Sequence, residues 1–229
     1  MKKLTLFFIA AALISLNVAA QNDINQTRFG VKGGVNYSQM EKSDNGIAGR
    51  SLYTGWNAGV FADVPLSRIV SFQPVLQYSV KGTKYELFNL GENNNAQVKY
   101  NPQYIDLQAN FVFKAPLGDG MHLFIGGGPY GAVGVAGKMK MSGYVLGQNI
   151  EESHSIKYTS DDRGDYNAEE WRKMKRWDYG FNVIGGAQID RYILTLGWEQ
   201  GLAKLQTGFN NEKDYGRNSA FSASLGILF

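Results

Sequence analysis

Residues 29–38 read FGVKGGVNYS, and their side chains divide by position into two classes. The odd positions carry phenylalanine, two valines, glycine and tyrosine, whereas the even positions carry glycine, lysine, asparagine and serine. Successive side chains of a β-strand point to opposite faces of its sheet, so this two-residue period indicates a strand with one apolar and one polar face.

The same alternation recurs in seven further stretches, which predicts eight strands in all. They are residues 56–64, 70–81, 105–114, 121–137, 177–189, 192–199 and 221–229. Phe61 breaks the pattern because it stands among the polar positions of its strand. Pro74 lacks a backbone donor, and we expect a β-bulge to accommodate it. After residue 20 no segment approaches the run of about eighteen apolar residues that a membrane-spanning helix requires.

The links between these strands alternate between long and short. The long, polar links are roughly residues 40–50, 86–99, 138–175 and 205–217, and the short ones are residues 65–68, 115–120 and 190–191. Outer-membrane barrels combine tight periplasmic turns with long extracellular loops and keep both termini in the periplasm. The sequence therefore predicts an all-β protein, an eight-stranded antiparallel up-and-down transmembrane β-barrel of the cell outer membrane.

A water-soluble barrel of lipocalin type is the alternative, because alternation alone does not say which face is inside. Six charged residues share one face with amides, and such residues can pair within a narrow lumen: Lys32, Asp63, Lys81, Asp106, Lys114 and Glu199. We therefore expect the apolar face to contact lipid. Aromatic residues near both predicted ends of the strands support this assignment, since outer-membrane barrels carry two aromatic girdles.

The first twenty residues have a positive start, an apolar run over 4–18 and a small-residue ending, which is typical of a secretory signal peptide. The predicted organisation is a signal peptide at 1–20, a short periplasmic segment at 21–28 and a barrel domain at 29–229. Removal of Lys2 and Lys3 lowers the formal net charge from +3 to +1, so a nucleic-acid partner has no basis. The chain has no cysteine, which excludes disulfides and cysteine-ligated metals.

Residues 123–137, LFIGGGPYGAVGVAG, contain the G-x-G-x-x-G spacing of a dinucleotide-binding turn. That motif needs a helix behind it, and the residues that follow are small and β-branched. We interpret the match as coincidence within a glycine-rich strand, and we predict no cofactor. In a filled lumen, Gly126, Gly128 and Gly134 would leave room for larger neighbours such as Tyr130 or the charged pairs.

Three segments also resemble a known family: FKAPLG at 113–118, LFIGGGPYGAVG at 123–134 and SASLGILF at 222–229. Together with the signal-like start, they resemble the PorT-like outer-membrane β-barrel proteins of Bacteroidota over roughly residues 29–229. The resemblance implies a barrel in the outer membrane and, because PorT serves a secretion and gliding apparatus, an accessory role in secretion or transport as one possible function. Phe229 resembles the terminal aromatic residue that the barrel-assembly machinery recognises. The resemblance implies no catalytic residue.

The link at 138–175 carries the candidate contact site. Its acidic residues do not fit the spacing of an EF-hand, so we predict no metal site there. Basic and aromatic residues lead from it into the sixth strand and are candidates for contact with phosphates of lipopolysaccharide or with a protein partner. They are Trp171, Arg172, Lys173, Lys175, Arg176 and Trp177.

An enzyme is the weaker alternative. His122 lies beside a predicted periplasmic turn, and His154 lies in the longest link between Ser153 and Ser155. Catalysis requires geometry as well as residue types, and adjacent residues rarely form a catalytic pair. The expected function is that of a non-enzymatic barrel with a filled lumen, acting in envelope structure or surface interaction through its extracellular loops. The alternatives are an accessory of secretion or transport, a small-molecule-binding barrel and a lipid-modifying enzyme.

Overall fold

The structure is a computed structural model, and it describes residues 26–41, 48–87, 95–118, 120–145, 148–159, 173–205 and 216–229. The predicted signal peptide and residues 21–25 of the predicted periplasmic segment lie outside the described residues. Five acidic residues of the 138–175 link also lie outside them: Asp161, Asp162, Asp165, Glu169 and Glu170.

The described residues form thirteen β-strands. They are β1 (Arg28–Glu41), β2 (Ala48–Ser51), β3 (Tyr53–Pro65), β4 (Val70–Val80), β5 (Thr83–Leu87), β6 (Asn95–Gly118), β7 (Met121–Val145), β8 (Gln148–Ser155), β9 (Lys157–Thr159), β10 (Lys173–Lys175), β11 (Trp177–Ile189), β12 (Tyr192–Gly201) and β13 (Arg217–Leu228). Within the described ranges there is no helix of the length and hydropathy needed to cross a membrane.

Eight of the strands form a closed antiparallel ring in the order β6-β4-β3-β1-β13-β12-β11-β7, and β7 pairs back with β6. The row of directly paired residues that starts at Gly131 of β7 passes once around the ring and returns to β7 at Met121, a stagger of ten residues. Closure with such a stagger requires tilted strands and leaves no free edge within the ring. The predicted eight-stranded barrel is confirmed.

The apolar side chains of the ring face outward and the charged side chains face the lumen, as the sequence predicted. Leu107 on the outer face is 60% exposed, whereas its neighbour Asp106 is fully buried in the lumen. The outer face carries valine, leucine, isoleucine and aromatic side chains on every strand of the ring, including the stacked pair Trp56 and Tyr78, whose ring centroids are 5.3 Å apart. The outer face of the barrel is therefore apolar toward lipid, and the charged side chains of the ring lie inside.

The long links contain more strand than the sequence predicted. β6 begins at Asn95 and β7 continues to Val145, inside the links assigned to 86–99 and 138–175. Together with β2, β5 and β8, these two strands continue beyond the ring as a five-stranded sheet in the order β2-β5-β6-β7-β8. We call this the outer sheet. Buried and polar side chains also alternate along the strands of the outer sheet. Val98, Tyr100 and Met139 are buried, and their neighbours in the chain are polar.

A β-bulge at Val135 marks the passage from barrel to outer sheet. Gln103 pairs with Ala136 whereas Tyr104 pairs with Gly134, so Val135 is an extra residue on β7. One extra residue exchanges the two faces of a strand. Before the bulge the even-numbered residues of β7 point into the lumen, and after it Met139 is fully buried while Lys138 and Lys140 are exposed.

The bulge predicted at Pro74 was wrong. β4 keeps a constant register with β6 through Pro74, which pairs with Ala109. On the other side of β4 the ladder with β3 is interrupted between the pairs Phe61↔Val75 and Val64↔Phe72 without a change of register. The missing backbone donor is thus accommodated by a gap in one ladder and needs no extra residue.

The outer end of the barrel is closed by an apolar cluster that we call the outer cap core. It consists of Met40, Val98, Tyr100, Met139, Ile156, Met174, Ala203 and Leu205. Its residues come from β1, β6, β7 and β10 and from the segments after β8 and β12. Backbone hydrogen bonds join these segments to their neighbours, since Ile156 N donates to Gly137 O at 3.0 Å and Lys175 N donates to Leu205 O at 2.8 Å. The described parts of the predicted polar loops therefore enclose a buried core of their own.

Candidate functional site

Side chains fill the lumen in layers between the outer cap core and the short turns. Nearest the turns lies an inner apolar layer formed by Phe61, Val75, Val112, Phe124, Ile184, Ile193 and Leu228. Phe61 belongs to this layer, which explains why an apolar residue stands among the polar positions of its strand. Between the two apolar clusters lies a polar layer that holds most of the buried charge.

Lys81 is the centre of the polar layer. Its side chain is about 2% exposed, and its Nζ lies 3.1 Å from Asp106 Oδ2 and also bonds Glu199 Oε1. Gln77 and Gln108 each donate an amide N–H at 3.3 Å, to Asp106 and to Glu199 respectively. A buried lysine is tolerated only where opposite charges and hydrogen bonds compensate for lost hydration, and here two carboxylates from different strands do so.

Aromatic rings bound this ion group toward the outer cap core. Lys81 Nζ lies 4.9 Å from the ring centroid of Tyr130 and 5.4 Å from that of Tyr104, within the range of cation–π attraction. Tyr130 also donates its hydroxyl to Asp178 Oδ2 at 3.3 Å, and Asn218 donates to the same oxygen at 2.8 Å. Charged, amide and phenolic groups from six strands thus meet in the polar layer.

A second ion group lies at the periplasmic end. Asp63 is buried and accepts from Lys114 Nζ at 2.5 Å and from Arg28 at 3.1 Å. Five of the six charged residues predicted to face the lumen are therefore joined in two ion groups. The sixth, Lys32, lines the remaining space beside the polar layer.

Little empty volume remains between these layers. Two cavities lined by Lys32 and its neighbours measure about 30 and 10 Å³. A buried water needs roughly 10–15 Å³ by the same measure, so the larger cavity holds about two waters. The Oδ1 atoms of Asp106 and Asp178 have no hydrogen-bond partner among the described residues. The described interior is therefore largely filled by side chains.

The glycines of β7 have two structural roles. A Cβ on Gly128 would overlap the carbonyl oxygen of Ala109 on β6, so this glycine permits close approach of two backbones. A Cβ on Gly134 would overlap the ring of Tyr158, which reaches into the barrel from β9. The prediction that these glycines leave room for neighbours is confirmed at Gly134, although the neighbour is Tyr158 and not Tyr130.

The predicted contact residues are only partly described. Trp171 and Arg172 lie outside the described residues, and the structure describes Lys173 by its backbone alone. Lys175, Arg176 and Trp177 meet around an open cavity of about 200 Å³ at the outer rim, which they share with Thr159, Tyr179, Ala203 and Lys204. We call this the rim cavity. Trp177 is 63% exposed beside it, at the level where an aromatic girdle is expected.

Lys204 was missed by the sequence analysis. It follows β12, and the β11–β12 hairpin, in which Gly180 pairs with Gly201, brings it beside Lys175 and Arg176 just before β11. The predicted strands 177–189 and 192–199 carried part of this signal, but Lys204 lies beyond the predicted strand end at 199. The described lining of the rim cavity contains no acidic residue.

The two histidines occupy different ends of the molecule. His154 pairs across the ladder with Met139 and Ser153 with Lys140, so histidine and serine lie on opposite faces of β8. His154 Nε2 lies 3.0 Å from Glu152 Oε2. His122 lines an open cavity of about 360 Å³ at the periplasmic mouth. The described residues contain no group of three side chains arranged to hold a metal ion.

Comparison with solved structures finds other barrels of the outer membrane. Ail, the attachment invasion locus protein of Yersinia pestis, matches with 13% identity, 89% of this chain, 99% of that chain and a TM-score of 0.40. Neisserial surface protein A matches with 12% identity, 88% and 97% coverage and a TM-score of 0.39. The outer membrane enzyme PagL matches with 13% identity, 86% and 98% coverage and a TM-score of 0.39.

No curated protein matches the chain. A family model described as "Outer membrane protein beta-barrel domain" matches residues 19–214, which is most of the sequence. The closed ring, its apolar outer wall and this match agree on a location in the outer membrane. The chain belongs to the outer membrane protein beta-barrel domain family.

Proposed function

We propose that this protein is a closed, non-enzymatic barrel that acts at the cell surface, in envelope structure or by binding a partner through its extracellular part. The observation that carries the proposal is the packed lumen, in which the Lys81 ion group lies between two apolar layers. Passage of a solute would require these layers to separate and the buried charges to lose their partners, which is costly. The proposal therefore assigns the function to the outside of the barrel.

The extracellular part is built as a rigid element. Met40, Met139 and Leu205 in the outer cap core are fully buried, and Met174 is nearly so. Loops that only connect strands need no buried core, whereas binding surfaces are most accurate when rigid elements hold them. The outer sheet and its cap core support a role as a presented surface.

Closure is tested by electrical recording. We expect the purified full-length chain in planar lipid bilayers to show no steady ion conductance above that of the bare membrane. The matched control is the same preparation unfolded in urea, which reports leakage from contaminating porins. A reproducible open channel in the folded sample alone would contradict the closed lumen.

The surface role is tested by trimming the β7–β8 hairpin. Replacing residues 143–150 with Asn-Gly joins Ser142 to Glu151, which face each other in the ladder, and leaves the outer cap core intact. Cells with this variant are compared with cells carrying the intact chain for sensitivity to vancomycin and deoxycholate and for retention on fibronectin, collagen and mucin. We expect a loss in at least one assay while heat-modifiable migration of the barrel stays normal.

The rim cavity supports contact with lipopolysaccharide as part of this role. Lys175, Arg176 and Lys204 bring three cations together beside Trp177, which suits a phosphate at the membrane interface. Trp171, Arg172 and Lys173 remain part of the proposed contact on the basis of the sequence.

An accessory role in secretion or transport, as the PorT-like resemblance implies, is the second candidate. It is favoured by the periplasmic cavity of about 360 Å³, which Arg28, His122, Gln188 and Arg191 help to line. A periplasmic partner of a secretion system would bind there. A secretion defect caused by His122→Ala, together with normal surface assays for the trimmed hairpin, would favour this role over the surface role.

A further inference from the structure

The outer sheet carries a row of lysines on neighbouring strands. Lys84 of β5 pairs with Lys99 of β6, and Lys99 pairs with Lys140 of β7. Lys138 stands one row closer to the barrel, opposite Asn101. Directly paired residues share a face of the sheet, so four lysines occupy two adjacent rows of one face. We call this face the lysine face.

The lysine face points sideways, away from the outer cap core. Val98, Tyr100 and Met139 alternate with these lysines and are buried in the core on the opposite face of the sheet. The bulge at Val135 is what places Lys138 and Lys140 outside, since continued alternation would have turned them into the barrel. The lysine face is therefore the upward continuation of the lipid-facing wall.

The arrangement is unfavourable for the isolated protein. Like charges directly opposite each other across an antiparallel ladder destabilise a sheet, and Lys99 of β6 lies directly opposite Lys140 of β7. An anion placed over the row would turn this repulsion into attraction. The charge pattern thus indicates a polyanionic ligand.

The order of charges with height indicates which anion. Gln103, which accepts from Tyr78 at 2.5 Å, lies at the upper limit of the apolar wall on β6. Lys138 and Lys99 lie in the rows two and four residues beyond it, about 7 and 13 Å along the strand. The next row, which we call the acidic row, carries the exposed Glu151 opposite Ser142. Cations therefore lie nearest the membrane surface and an acid lies above them.

We propose that the lysine face binds the phosphate groups of outer-leaflet glycolipid molecules that stand beside the barrel. The inference extends the lipid contact of the rim cavity to a second, separate face, and it depends on the outer-membrane location but not on closure of the lumen. Polar headgroups begin where the apolar wall ends, so their phosphates lie at the level of these two rows. A ligand further from the membrane would first meet the acidic row.

The decisive variant is Lys99→Glu. It places a carboxylate between Lys84 and Lys140, so we expect the stability of the fold to be retained. The lysine face loses two units of positive charge. We expect the affinity of the detergent-purified chain for bisphosphorylated lipid A to fall about 25-fold. Each unit of charge near an anionic surface changes the affinity about fivefold, and the variant changes two units. The matched control is Arg68→Glu in an exposed periplasmic turn, which makes the same charge change and should leave the affinity unchanged.

Three further arms identify the ligand. Dephosphorylated lipid A should bind equally weakly to the intact chain and to Lys99→Glu, and inorganic phosphate should compete only at millimolar concentration. Dextran sulfate reports binding of a soluble anionic glycan. Equal affinity of the intact chain and Lys99→Glu for bisphosphorylated lipid A would overturn the proposal. The proposal would also be overturned if Lys99→Glu changed only the affinity for dextran sulfate. Conductance recordings test the closed lumen separately, so the two proposals fail independently.

Discussion

Replacement of Lys81 by methionine tests the physical basis of the closed lumen. The change removes the charge and keeps most of the volume, so Asp106 and Glu199 stay buried without their shared cation. At 3.1 Å and an effective dielectric constant of about 20, the attraction of Lys81 for Asp106 alone is about 5 kcal/mol. Desolvation offsets part of this value, and removal of one partner of a buried pair typically costs about 3–5 kcal/mol.

We therefore expect Lys81→Met to lower the free energy of unfolding by about 3–5 kcal/mol. Urea unfolding of the barrel in lipid vesicles, followed by tryptophan fluorescence and by heat-modifiable migration in gels, measures the change. Conductance is recorded in parallel, because loss of the ion group also weakens the seal of the polar layer.

A compensated variant makes the test specific to charge. In Lys81→Met, Asp106→Asn, Glu199→Gln no buried charge is left unpaired, and replacement of a whole buried ion group by neutral residues is often close to neutral. We expect the triple variant to recover most of the stability lost in the single variant. The reasoning is refuted if the single variant loses less than about 1 kcal/mol or if the triple variant is as unstable as the single one.

Four further predictions concern the outer end of the barrel and its assembly. Gly134→Val should displace the Tyr158 ring and make residues 148–159 sensitive to protease, at a cost of about 1–3 kcal/mol. Leu205→Ala should cost about 2–5 kcal/mol and raise hydrogen exchange in the outer cap core while the barrel ring stays protected. Lys204→Glu should weaken binding of bisphosphorylated lipid A, whereas Lys204→Arg should retain it, as measured by titration in detergent. Deletion of the exposed Phe229 should lower the fraction of folded barrel in outer-membrane fractions at unchanged synthesis.

The barrel ring could be predicted because each of its strands shows the signal in its own residues. A strand between lipid and a filled lumen imposes a two-residue period on its own residues, and that period is visible in 29–38 without knowledge of any partner strand. The charged residues showed which face is inside, since Asp106 and Lys114 cannot face lipid. Phe61 looked like an exception because an apolar layer inside the lumen is a property of several strands together.

The outer sheet could not be predicted because it depends on one residue. The bulge at Val135 reverses the phase of β7, so a single period fitted through residues 121–145 fails beyond it. Polar residues there suggested a loop, although Met139 shows that one face is buried. Lys204 escaped prediction for another reason: its meeting with Arg176 depends on the exact register of the β11–β12 hairpin, which continues beyond the predicted strand end at residue 199.

The bulge at Val135 also determines how this molecule tolerates exchange of its parts. A chimera that joins the ring to a foreign extracellular half must count residues from the bulge, because a junction that drops Val135 would send Lys138 and Lys140 inward and expose Met139 to water. Deletion of that one codon would thus exchange the two faces of β7 beyond the bulge while leaving the ring strands below it in register. Grafts made above Ala136 keep the phase, and they allow the ring to serve as a carrier for other surface modules.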